Sequence, residues 1–244
     1  MEAQKSDIIR QLQKDILLLQ GFKACTTGTV VDVGLGPVNM AFPNETFPLG
    51  AVHEFISTSQ EETAATGGFI SGLLSPLMRN NGVTLWISRN RMLFPPSLKF
   101  FGIDPARFIF VDLHKESDVI WAIEEGLKCD GLAAVVGELA DISFTASRRL
   151  QLAVEQSKVT GFIIRQQPRK LAVTACVSQW KISPVPGDAI EDLPGVGFAR
   201  WKVTLLKVRN GKPGSWELDW AAGKFRHVPQ KAAAIAPAEM RKTG

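Results

Sequence analysis

The sequence predicts an α/β fold in which a mostly parallel sheet is covered by helices and extended on one edge by C-terminal antiparallel strands. Three observations carry that prediction. Over residues 51–164, short apolar runs alternate with stretches of helical period, the pattern of parallel strands joined by helices. Beyond residue 171 the runs alternate in period two with short loops between them, as antiparallel strands do. The 244 residues are 45% hydrophobic and 21% charged, with 21 Gly, 14 Pro and 3 Cys, which excludes collagen-like, disordered and disulfide-stapled classes.

Residues 8–20 place Ile8, Leu12, Ile16, Leu18 and Leu19 at helical spacing among charged residues, and Gly21 closes the stretch. Residues 1–21 therefore read as an N-terminal helix that either covers its own domain or serves as an interaction arm. Residues 22–46, rich in Gly, Pro and Thr, read as a linker. The core is assigned to 47–226. Its expected elements are strand 52–56, helix 66–80, strand 83–87, helix 96–101, strand 108–111, helix 117–128, strand 132–136, helix 143–157 and strand 160–164. Strands 171–177, 179–182, 201–208 and 216–220 follow. Residues 183–197, with three prolines and three glycines, read as a mobile loop, and 227–244 as a disordered tail.

No apolar run approaches the ~18 residues of a membrane-spanning helix, and the first ten residues lack the apolar core of a signal peptide. A cytoplasmic location without membrane contact is expected. Cys25, Cys129 and Cys176 are scattered, as are His53, His114 and His227, so neither a zinc site nor a disulfide framework is expected.

The formal net charge is +4, and its distribution is uneven. Residues 165–212 hold nine basic residues against Asp188, Glu191 and Asp192. Such a segment is either a solvated surface or an electrostatic footprint for nucleic acid or an acidic partner. Lys181, Arg200 and Lys202, which flank the acidic loop, are the candidates for salt-sensitive, sequence-independent DNA contact. Arg209 and Lys212 bracket an Asn-Gly turn, a strong hairpin signal, and would face outward from it. Arg148 and Arg149 on helix 143–157 are candidates for partner or DNA contact, or for salt bridges to Glu138, Asp141 or Glu155. Trp180 and Trp201 belong either to the core or to base stacking.

The run FPLGAVHEFI (47–56) resembles the lead-in to a RecA-like ATPase core, where a Pro-x-Gly turn precedes the first strand and the glycine-rich phosphate loop. STSQEETAAT follows here. On that pattern the first loop glycine becomes Ser57, and the closing Gly-Lys-Thr becomes Glu62, Thr63 and Ala64. Glycine lets backbone N–H groups approach phosphates, lysine supplies countercharge and the hydroxyl holds Mg²⁺, so each change removes a requirement of nucleotide binding. Glu61 and Glu62 add negative charge where a triphosphate would add more. That repulsion costs several kcal/mol in a partly dry site, against about 1 kcal/mol from the helix dipole. Continuing the alignment sets Asn90 where the family has its water-activating glutamate and Gly137 where it has its metal-side aspartate. Glu138 is either a relocated carboxylate or a cap on the following turn.

WAIEEGLK (121–128), LAAVVGEL (132–139), TASRRLQLA (145–153), GFIIR (161–165) and ARWKVTLLKVRNGKPGSWELDW (199–220) together resemble the ImuA family of bacterial damage-induced mutagenesis, in order and spacing over about 47–225. The cell-division inhibitor SulA is a more distant relative. The resemblance implies a RecA-like three-layer core and an accessory protein of the SOS response without catalytic residues or cofactor. It also implies partners in translesion synthesis: an ImuB-type polymerase-like protein, an error-prone translesion polymerase and RecA, with nucleoid association under DNA damage. The alternatives are a divergent DNA-stimulated ATPase using Glu138, and a SulA-like inhibitor.

Overall fold

A strand with every residue buried, β1 (Val52–Ser57), is the axis around which the other elements assemble. The computed structural model describes residues 31–79, 81–168, 172–187, 189–190 and 193–229; the expected N-terminal helix and nearly all of the expected tail lie outside them. Chain order continues through α1 (Gln60–Leu77), β2 (Val83–Ser88), β3 (Phe108–Asp112), α2 (Glu116–Leu127), β4 (Leu132–Leu139), α3 (Phe144–Ser157) and β5 (Thr160–Gln166). It ends with β6 (Ser178–Val185), β7 (Ala189–Ile190), β8 (Leu193–Gly197), β9 (Arg200–Val208), β10 (Gly214–Ala221) and β11 (Lys224–Val228).

Nine strands form one sheet in the order β11-β10-β9-β6-β1-β5-β4-β2-β3. The six strands from β6 to β3 are mutually parallel, and β9, β10 and β11 are added antiparallel on the β6 side. The expected parallel sheet with an antiparallel extension is thus the observed one. Helix α1 and the 3-10 turns Gly36–Ala41 and Pro95–Phe101 pack on one face, where Phe55, Phe69, Phe162, Trp180, Trp201 and Phe225 build an aromatic core. Phe55 stacks on Trp180 at 6.0 Å between ring centroids, and Phe69 meets Phe225 at 5.1 Å. Trp180 and Trp201 are therefore core residues. Helices α2 and α3 cover the other face through Val119, Ile123, Leu127, Leu150 and Val154, which pack on Val135 and Ile163. The result is three layers.

Several expectations are corrected. The described part of the expected linker is core: Val33, Leu35, Val38, Ala41 and Phe42 are buried in the aromatic cluster. Gly211 is held there too, because a Cβ at that position would stand 2.2 Å from the Ala41 carbonyl oxygen, which also accepts the Lys212 N–H at 2.9 Å. Residues 172–177 are not a strand; they cross the end of α3, where the Ala175 N–H donates to Ser147 Oγ. The expected loop at 183–197 is largely extended, since β6 runs on to Val185 and β7 pairs with β8. Strand β11 was not expected, and the helix at 96–101 is a 3-10 turn.

The buried charges at the sheet centre are paired internally. Arg165 on β5 and Glu54 on β1 are wholly buried and paired at 2.7 Å, and the other guanidinium nitrogen pairs with Asp141 beyond β4. Glu54 also accepts from Thr174 Oγ1 (2.5 Å) and Gln179 Nε2 (3.1 Å). Burial depresses the Arg165 pKa, but the two carboxylates outweigh it and hold it above the ordinary value. Nearby, burial and then the Glu54 charge push the Cys176 thiol up to about 12. His53 Nε2 faces the Pro48 carbonyl at 2.7 Å and so must donate; its Nδ1, 2.6 Å from Ser178 Oγ, therefore accepts in the neutral ring. Burial lowers the His53 pKa to about 4, with only partial opposition from the Pro48 contact.

Removing one partner of a buried ion pair leaves an uncompensated charge, so Arg165→Met should cost about 3–5 kcal/mol in urea unfolding. A loss under 1 kcal/mol would mean that Glu54 finds other compensation. For His53 the folded pKa lies below the unfolded one, so the stabilisation is complete above pH 6.5 and declines as pH falls toward 4. Between pH 7 and 5 the unfolding free energy should drop by about 2 kcal/mol, and His53→Asn should flatten that slope.

Candidate functional site

The chain leaves β1 at Ser57 and turns through Thr58 and Ser59 into α1, at the end of the sheet where open α/β folds bind ligands. Ser59 is the N-cap and its hydroxyl accepts the Glu62 N–H at 3.2 Å. Glu62 reaches back over the turn: Oε2 accepts the Thr58 N–H (2.8 Å) and the Thr58 hydroxyl (2.7 Å). Its Oε1 accepts the Ser183 hydroxyl (3.0 Å) and pairs with Lys181 Nζ at 3.1 Å. A carboxylate of the chain itself thereby takes the turn's N–H and a neighbouring lysine. Burial opposes its ionisation, but the Thr58, Lys181 and Ser183 contacts prevail and hold its pKa at about 2.

The other residues of the altered loop are placed just as firmly. Ser57 is buried with Oγ 3.1 Å from Thr66 Oγ1, and Thr63 Oγ1 donates to the Ser59 carbonyl at 3.0 Å. Glu61 and Ala64 are exposed, and the Ser59 hydroxyl lowers the Glu61 pKa. The spacing of Ser59 and Glu62 is that of a capping box, a signal present in the sequence that sets the start of α1 at residue 60 instead of 66.

Beside this turn lies a cavity of about 290 Å³ lined by Gln60, Thr63, Arg89, Asn90, Glu138 and Gln166, among others. The structure thus brings Thr63, Asn90 and Glu138 together. It does not bring Gly137 there: a Cβ at 137 would meet Ile123 Cδ1 at 2.1 Å, under α2 on the opposite face of the sheet. Glu138 of β4 lines the cavity, with Leu139 beside it. It does not cap the turn after β4; the Glu116 carboxylate does, accepting the Ala140 and Asp141 N–H groups at 2.8 and 2.9 Å. Glu138 instead accepts from Trp86 Nε1 (2.6 Å) and Gln166 Nε2 (2.8 Å). Burial raises its pKa, these donors partly offset that, and the charge of Asp112 adds to it.

The predicted basic contacts divide by location. Lys181 is committed to Glu62, and Arg200 lies 3.8 Å from the buried Asp219. Arg209 is turned inward and donates to the Ala175 carbonyl at 3.0 Å, contrary to the expected outward orientation. Lys202 and Lys212 are exposed. Arg149 pairs with Glu124 on α2 and with none of the three carboxylates expected for it, whereas Asp141 is engaged by Arg165. Arg148 is exposed on α3. Lys181, Arg200 and Lys202 share one face of the sheet, since Lys181 is directly opposite Thr204, two residues from Lys202.

No protein-family model matches this sequence. The chain is 33% identical over 205 residues to Protein ImuA of Caulobacter vibrioides strain NA1000 / CB15N, covering 79% of this chain and 84% of the relative. The ImuA protein of strain ATCC 19089 / CIP 103742 / CB 15 gives the same figures. Among solved structures, the RadB recombinase superposes with a TM-score of 0.56 at 11% identity, over 82% of this chain and all of the recombinase, and so shares the fold.

Because Glu62 has a folded pKa below the ordinary carboxylate value, its stabilisation is present above pH 4.5 and is lost as pH falls toward 2. Glu62→Gln should lose about 2 kcal/mol at pH 7 and should lack that acid-side decline in urea titrations from pH 5 to 2.5. Equal acid slopes in the two proteins would show that the carboxylate is not held as described.

Proposed function

The chain belongs to the ImuA family, and from that premise we propose that it is a non-catalytic RecA-like accessory protein of damage-induced mutagenesis, acting through polymerase-like partners. One observation carries the reading: the Glu62 carboxylate fills the turn where a nucleotide-binding RecA-like protein would place phosphate. A triphosphate there would have to displace that carboxylate, separate it from Lys181 and sit beside Glu61. The helix dipole contributes about 1 kcal/mol toward the anion, and the like-charge repulsion outweighs it several-fold. A scaffold without this chemistry acts by binding. The partners proposed are an ImuB-type polymerase-like protein and a translesion polymerase, with RecA as a further contact, all within the cytoplasm. No described helix is long and apolar enough to cross a membrane.

A second reading, a divergent ATPase, draws on the cavity that holds Asn90 and Glu138. Against it, both Glu138 oxygens already accept from Trp86 and Gln166 and so are committed to the protein's own donors. The readings separate in one titration of the purified protein with a fluorescent ATP analogue, with and without Mg²⁺ and single-stranded DNA. The expected outcome is no saturable binding up to millimolar analogue, together with co-purification of an ImuB-type protein from cells. Micromolar, Mg²⁺-dependent binding, with hydrolysis abolished by Glu138→Gln, would overturn the adaptor reading.

A further inference from the structure

Beyond β1 the sheet has one covered face and one open face. The first, through Trp180, Trp201, Val203, Leu205, Leu218 and Trp220, packs on the aromatic core. On the other, no described helix lies over β9, β10 or β11. Direct cross-strand pairing sets the occupants of that open face: Lys181 opposite Thr204, Lys202 opposite Glu217, Arg200 opposite Asp219, Asp219 opposite Arg226, and Lys207 opposite Gln179. Lys224, two residues before Arg226, shares it.

Among the described residues, three carboxylates stand among these cations: Glu62, which pairs with Lys181, together with Asp219 and Glu217. Asp219 is wholly buried and engaged, accepting from Arg226 at 3.0 and 2.7 Å, with Arg200 behind. Glu217 is half-buried. Lys202, Lys207 and Lys224 are exposed and make no ion pair among the described residues. From β6 to β11 the face spans roughly 14 Å, and from Lys202 to Lys207 roughly 17 Å. It is basic. Residues 1–30 and 230–244 each carry net positive charge, whereas the connection from β6 to β9 carries Asp188, Glu191 and Asp192.

We infer that this open face of β6-β9-β10-β11 docks the phosphate backbone of DNA, through Lys202, Lys207 and Lys224, without reading sequence. The composition of the face favours phosphate over an acidic protein. A protein partner of useful affinity needs a desolvated apolar anchor, and here the tryptophans of β6, β9 and β10 at positions 180, 201 and 220 are buried on the opposite side. Phosphate binding needs only cations, and counterion release supplies the free energy. The lysines meet phosphate alone, so the face should bind duplex and single strand alike, with Phe198, exposed just before β9, the nearby ring available for stacking. Lys202, Lys207 and Lys224 make no contact with Glu62, although the face adjoins that turn through Lys181. The inference deepens the accessory-protein reading and rests on it for its setting, but it is measured without partners, so its failure is distinguishable from failure of the co-purification.

The experiment is fluorescence anisotropy of the purified protein with labelled DNA of about 20 base pairs and about 20 nucleotides, two unrelated sequences each, over a salt series. Binding to all four is expected, within a few-fold of one another. The triple variant Lys202→Gln, Lys207→Gln, Lys224→Gln should weaken binding at least tenfold near ~50 mM salt and reduce the log–log salt slope by about 3. Lys224→Gln alone, which removes one exposed side chain, should reduce the slope by about 1. Arg148→Gln, on α3, should leave both quantities unchanged. The inference is overturned by no binding at low salt, by a triple variant equal to the parent, by equal loss in Arg148→Gln, or by polyglutamate binding where DNA does not bind.

Discussion

Five segments of the chain meet at one buried ion pair. Glu54 and Arg165 belong to adjacent central strands, Asp141 to the turn after β4, Thr174 to the crossing before β6, and Gln179 to β6 itself. A pair of charges taken out of water is costly unless every lone pair and proton is used. Here the second carboxylate oxygen of Glu54 has two donors, and the guanidinium has a second carboxylate. The arrangement holds only when β1, β4, β5 and β6 are in register together. It therefore specifies the sheet order at the strands that set the position of the Glu62 turn.

At the adjoining end of the sheet the same economy of polar groups governs the loop. In a nucleotide-binding protein of this fold class, N–H groups after the first strand are left open for an incoming anion. Here the anion is supplied by the fourth residue on from Thr58, and it is locked by Lys181 and Ser183 from β6. The turn becomes a joint between α1 and β6, the parallel strand on which the antiparallel extension is built. That arrangement fits the proposed accessory role, in which interaction surfaces carry the function.

The alternation of apolar runs made the parallel half of the sheet legible, because buried strands such as β4 and β5 have no alternative packing. Faces were less legible than elements. An alignment places Gly137 at the metal-side position, yet strand alternation puts it under Ile123 and turns Glu138 to the cavity. Ser59 and Glu62 cap α1 at residue 60, six positions before the helical pattern at 66, and in the sequence the same run reads equally as a lost phosphate loop. The segment 33–42 has the composition of a linker, and its burial depends on β9 to β11, which no local pattern reveals. Arg149 was assigned partners near it in sequence, whereas Glu124 comes from the neighbouring helix. What escaped the sequence was, in each case, a contact made across the fold.

The docking of Ala41 against Gly211 joins residues about 170 positions apart. On the ribosome, Val33, Leu35, Val38 and Phe42 emerge long before β10 and β11, strands against which their 3-10 turn packs, are synthesised. The aromatic face thus closes late, as the last strands arrive. A nascent chain of this protein carries sticky apolar residues near its leading end through most of translation, which makes it a natural client for chaperones. Messages truncated before β10 would yield a chain with its N-terminal clasp unfilled.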